Sequence, residues 1–159
     1  MDAQQRLLEI DKEFPGFGGF WFDPDGNVHV SIGNFEDSTK IKAIVANELA
    51  RRGERNYPAQ IILRHFVFHQ SKFGYTDLWN WQCLVGKNAV DNVPGYQSSG
   101  VRYPINKVRF GVVDPKGISA LKRLTSSLGI PDDAVLIELE NKPARQKPER
   151  ASSFHQKTR

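Results

Sequence analysis

Apolar residues along this chain change period several times, and each change marks an element. From Ala3 to Phe14, Leu7, Leu8 and Ile10 form an apolar patch among polar neighbours, and Pro15-Gly16 stops the run, which predicts a short helix. Phe20 to Phe22 and Val28 to Ile32 then read as two strands around the turn Asp23-Pro24-Asp25-Gly26-Asn27. In the second strand Val28, Val30 and Ile32 face one way and His29 and Ser31 the other, so this hairpin has one buried face. Glu36 to Arg52 returns to helical spacing through Ile41, Ile44, Val45 and Leu49, with Asn34 or Ser38 as cap and Gly53 as stop. Ile61 to His69 is a β-branched and aromatic strand.

The same order of elements then restarts. Thr76 to Val90 predicts a helix, with Leu78, Trp79 and Trp81 to Val85 as its apolar content. Gly100 to Tyr103 and Val108 to Val113 predict a second hairpin. Asp114-Pro115 opens a helix lined by Ile118, Leu121, Leu124 and Leu128, Gly129 ends it, and Ala134 to Glu140 is a closing strand. Phe14-Pro15-Gly16-Phe17 corresponds to Val93-Pro94-Gly95-Tyr96, Val28/Val30/Ile32 to Val108/Phe110/Val112, and Asn34 to Asp114, at a nearly constant offset. Such an offset across several elements indicates an internal duplication. The expected fold is α+β: two tandem α-β-β-α-β units at 1–70 and 71–140, each a three-stranded sheet covered by helices. Units this small gain stability by packing on one another.

Composition changes at Asn141. Residues 141–159 have two prolines, no periodicity and almost no apolar content, which predicts a flexible tail. They hold six Lys/Arg and one Glu, so a net charge of +4 for the chain leaves residues 1–140 nearly neutral. A nucleic-acid-binding role would therefore rest on the tail alone, and it stands as the alternative to protein binding. No stretch is long and apolar enough to cross a membrane. The N-terminus lacks the apolar segment of a signal peptide, which fits either a cytoplasmic protein or a secreted one in its mature form.

Catalytic motifs are scarce. The sequence has no nucleophile elbow, phosphate-binding loop or zinc-protease helix. His65 and His69 share a strand face but sit about 13 Å apart at ~3.3 Å per residue, too far for one ion. Asp23 to Asn27 reads as a hairpin turn, because the spacing of a calcium loop is missing. Cys83, the single cysteine, is expected to be a buried small hydrophobe in its helix. No enzymatic activity, metal or cofactor is expected. The residues left over for binding are Trp21, on the face opposite Phe20 and Phe22 and beside His29; Arg102, Tyr103, Lys107 and Arg109 on the polar side of the second hairpin; and Arg145, Lys147 and Arg150 in the tail.

Two stretches carry a family resemblance. They are PGFGGFWFDPDGNVHVSI and NKVRFGVVDPKGISALKRLTSSLGIPDDAVLIELE, the second being specific through Asn106, Val108, Gly111, Val112, Asp114, Leu128, Gly129, Ile130 and Pro131. The chain resembles the pro-regions of bacterial secreted chymotrypsin-like serine proteases of the alpha-lytic protease and streptogrisin type, and related secreted domains of unassigned function. The resemblance implies a non-enzymatic domain that assists a protease in folding and then inhibits it, with a C-terminal segment, here Asn141 to Arg159, lying in the protease cleft. It also implies an extracytoplasmic site of action. The expected partner is another protein, either such a protease or a subunit of a secreted or cell-surface assembly.

Overall fold

The computed structural model of the chain describes residues 3–51 and 65–141. The Gly53 helix stop, the first part of the strand read from Ile61, and the tail beyond Asn141 lie outside the described residues. Helix α1 (Ala3–Glu13) leads into strands β1 (Gly19–Phe22) and β2 (Val28–Ile32), helix α2 (Ser38–Arg51) and strand β3 (Phe66–Gln70). Helix α3 (Tyr75–Ala89), strands β4 (Tyr96–Arg102) and β5 (Lys107–Val112), helix α4 (Pro115–Ser127) and strand β6 (Val135–Leu139) repeat that order. Each unit has one three-stranded sheet, ordered β1-β2-β3 and β4-β5-β6. The hairpin strands pair antiparallel, and the last strand joins the middle one in parallel after a helical crossover. The fold is thus the α+β duplication that the alternating periods predict.

Details of local chemistry repeat as well. The turn Phe14-Pro15-Gly16-Phe17 is closed by the Phe17 amide donating to the Phe14 carbonyl at 3.0 Å. Val93-Pro94-Gly95-Tyr96 is closed by the Tyr96 amide donating to the Val93 carbonyl at 3.2 Å. Gly16 and Gly95 occupy the third position at φ 89° and 66°, a conformation that side chains disfavour. Asn34 and Asp114 both accept from the amide two residues on, as helix N-caps do. In the first unit that cap opens a short turn at Phe35–Asp37 before α2 begins at Ser38.

Alternation along the central strands builds the two cores. Val28, Val30 and Ile32 are fully buried in one, and Val108, Phe110 and Val112 in the other. Burying each such side chain contributes about 1.5–3 kcal/mol. Strand β4 starts four residues earlier than the apolar pattern indicates, because its first half, Tyr96-Gln97-Ser98-Ser99, is mostly polar; an irregularity between Tyr96 and Ser98 shifts its pairing with β5. Cys83 corrects the expectation of a buried thiol: α3 turns Leu78, Val85 and Ala89 inward and leaves Cys83 exposed beside Leu84.

The units are joined by more than adjacency. Tyr75 and Trp79, at the start of α3, pack in the first core, whereas Leu78, Val85 and Ala89 pack in the second. The N-cap residue of α3 is Gly74, which has no side chain to offer; the buried Asp11 of α1 supplies the carboxylate instead. It accepts from the Thr76 amide at 2.8 Å and the Gly16 amide at 3.0 Å. A Cβ on Gly74 would stand 2.7 Å from both Asp11 oxygens, so glycine there makes room for the distant cap. On the other side, Asn106 adopts the left-handed conformation (φ 51°), accepts from the Lys72 and Phe73 amides and donates to the Phe73 carbonyl.

Candidate functional site

The face of each sheet turned away from its helices is where function can lie, and the two faces differ. Register on the first sheet pairs Trp21 with His29, His29 with Val67, and Ser31 with His69. Alternation then sends Trp21, His29, Val67 and His69 to the outer face. The hairpin turn adds Asp23, whose carboxylate accepts from the Asn27 amide and side chain, both at 2.8 Å. Asp23 Oδ2 lies 3.0 Å from His29 Nε2, and His29 Nδ1 lies 2.8 Å from His69 Nε2. Ring centroids of the two histidines are 5.1 Å apart with planes only 21° from parallel. With their nitrogens in contact, that separation is the edge-to-edge arrangement of nearly coplanar rings rather than a stack. The Trp21 indole covers the pair, 5.3 Å from His29 and 5.1 Å from His69 at small interplanar angles.

Chemistry assigns one proton of the row Asp23–His29–His69 outright. An ionised carboxylate only accepts, so His29 donates from Nε2. Its Nδ1 and His69 Nε2 then share one proton between two lone pairs. The hydrogen bond from His29, followed by those from Asn27, holds the Asp23 carboxyl far below the usual carboxylate range. Burial, followed by the charge of His29, pushes His69 down. The row therefore favours a state in which Asp23 is charged and His69 is neutral.

The outer face of the second sheet carries a different solution at corresponding places. The duplication puts Arg109 where the first unit has His29, and Glu138, beside Gly111, where it has His69 beside Ser31. Gly100 opposite Arg109 takes the place of Trp21 opposite His29. Arg109 pairs with both Glu138 and Glu140, and its Nη1 donates to the Ser98 hydroxyl at 3.1 Å. The Ser98 hydroxyl, then the Arg109 guanidinium, lower the pKa of Glu140. This network satisfies itself and leaves the Arg109 side chain only 18% exposed.

The residues singled out from the sequence thus fall in separate places. Trp21 does sit beside His29 on the outer face. Arg109 is spent within its own sheet rather than offered to solvent. Tyr103 is half-buried against Gly19 and stacks on Tyr75, so it belongs to the junction between units. Arg102 is exposed and Lys107 half-buried. Arg145, Lys147 and Arg150 lie outside the described residues. Sequence reading missed the His29–His69 pair. It compared His69 with His65 along one strand, whereas the meaningful neighbour comes from the parallel register of β3 on β2.

Two imidazoles are the donors that could hold a metal here; among the described residues no third histidine, cysteine or carboxylate completes a set of three. No helix among them is long and apolar enough to cross a membrane. No protein-family model matches the chain, and no curated protein matches it in sequence.

Proposed function

We propose that this chain is a non-enzymatic protein-binding domain whose contact surface is the outer face of the first sheet. The observation that carries this reading is Trp21 laid over an imidazole pair beside the exposed Val67, on a sheet face that the duplicated unit instead closes with its own ion pairs. Tryptophan beside aliphatic surface, ringed by polar groups, is the composition of an interface hot spot. The resemblance to protease pro-regions supports a secreted chymotrypsin-like serine protease as the partner, acted on as folding assistant and inhibitor.

The test is inhibition and refolding of bacterial secreted proteases of that type by the full chain, with Trp21→Ala and Val67→Ser compared with the unaltered protein. Inhibition weakened tenfold or more by Trp21→Ala, about 1.4 kcal/mol, supports the assigned face. Full potency in both variants would move the interface elsewhere. No inhibition and no refolding by the unaltered chain would remove the protease reading.

A further inference from the structure

We infer that His29 and His69 form a binding site for a divalent transition metal ion of the imidazole-preferring group, with Asp23 as the carboxylate that orients the first ligand. The inference stands on geometry and does not rest on the protein-binding reading. His29 Nδ1 and His69 Nε2 face one another at 2.8 Å. Around a tetrahedral ion with bonds of ~2.0–2.1 Å, two imidazole nitrogens stand about 3.3 Å apart. The two donors are within about half an ångström of a chelating span and project from paired strands; because the rings meet edge to edge, each must tilt by about 35° for both lone pairs to converge on one tetrahedral ion.

The remaining nitrogen of His29 strengthens the assignment. A metal-ligating histidine commonly donates its other N–H to a carboxylate, which fixes the tautomer and raises the basicity of the ligating nitrogen. Asp23 does this for His29 at 3.0 Å, and is itself held by two bonds from Asn27. His29 Nδ1 is thereby left to its contact with His69, and a bound ion would displace the one proton shared there to solvent. Trp21 stacks beside both rings. The duplicated unit supplies a contrast: at the corresponding places it has an arginine and a glutamate that neutralise each other, so the guanidinium already occupies the carboxylate. Imidazole pairs favour zinc, copper and nickel over magnesium and calcium. Two protein donors leave coordination positions for water or for a side chain of another molecule.

Zinc is the probe. Titrated into the full chain by calorimetry, it should bind at one ion per chain to this site. His29→Gln and His69→Gln should each weaken binding at least tenfold, and Asp23→Asn by about ten- to a hundredfold as an outer-shell change. His65→Gln with His155→Gln, which removes the other two histidines of the chain, should leave the affinity unchanged. In the unaltered protein zinc should shift the imidazole proton resonances of His29 and His69 ahead of those of His65 and His155, a readout that needs no variant to fold. Binding that survives His29→Gln or His69→Gln, is lost with His65 and His155, or fails to appear at millimolar zinc would overturn the assignment; so would resonances of His29 and His69 that do not move.

Discussion

Replacing Asn106 with alanine tests whether the two units are held as one body. The Asn106 side chain makes three hydrogen bonds to the segment between β3 and α3: the Lys72 and Phe73 amides donate at 2.9 and 2.8 Å, and the side-chain amide donates to the Phe73 carbonyl at 2.9 Å. Each is worth about 0.5–1.5 kcal/mol net. The bond to Lys72 is exposed, so water replaces it and its contribution lies near the lower bound. Alanine at φ 51° adds a left-handed penalty of about 1–2 kcal/mol. Together these give a loss of about 4 kcal/mol for Asn106→Ala. Asn106→Gly removes the same bonds but tolerates the backbone, so its loss should be smaller by up to about 1 kcal/mol once glycine's extra chain entropy is counted. Urea unfolding followed by far-UV circular dichroism measures both. In a chain of this size the alanine variant should melt about 8–16 °C lower. An Asn106→Ala protein within 1 kcal/mol of the unaltered one, with the same denaturant slope, would refute the argument that this side chain fastens the second hairpin to the inter-unit segment.

Three further outcomes are expected. Asp11→Ala should cost about 2–4 kcal/mol, because two amides lose a charged acceptor; Asp11→Asn should lie between, and denaturation midpoints decide it. Glu140 has a folded-state pKa below its usual 4.5, so its stabilising effect is present above that value and fades as pH falls through the lowered one. The stability gap between the unaltered protein and Glu140→Gln should accordingly shrink in acid, and a gap that widens there would reverse the sign. Cys83, being exposed, should react with a thiol reagent in the folded protein at the same rate as after unfolding, within about tenfold; a strongly protected thiol would contradict its position on α3.

Much of the fold was legible because the core follows period. The alternation of Val28, Val30 and Ile32 and of Val108, Phe110 and Val112 identified both central strands, and the paired Pro-Gly turns and N-caps identified the duplication. Misreadings arose where period is silent. After Tyr96 the start of β4 is polar, Gln97-Ser98-Ser99, so its hydrogen bonds to β5 reveal it rather than its hydropathy. Cys83 has the hydropathy of a core residue but lies a third of a turn from the buried stripe of α3. The candidate site was harder still. Trp21 and His29 neighbour one another across a hairpin, which local reading reaches. His69 joins them only through a parallel register set after a long crossover, which local reading does not reach. Arg109 looked available for the same reason: its partners Glu138 and Glu140 arrive from a strand 29 and 31 residues away.

The sharing of α3 has a consequence for synthesis. The first unit's core includes Tyr75, and its Asp11 finds the Thr76 amide only once α3 begins. A nascent chain that has just completed β3 therefore lacks an aromatic wall residue and leaves a carboxylate without one of its two partners. The amino-terminal half should stay loosely packed at the ribosome until the opening turn of α3 has emerged from the exit tunnel. Chains truncated at Gln70 and at Ala89, tethered to stalled ribosomes and challenged with protease, should differ sharply in the survival of residues 3–51.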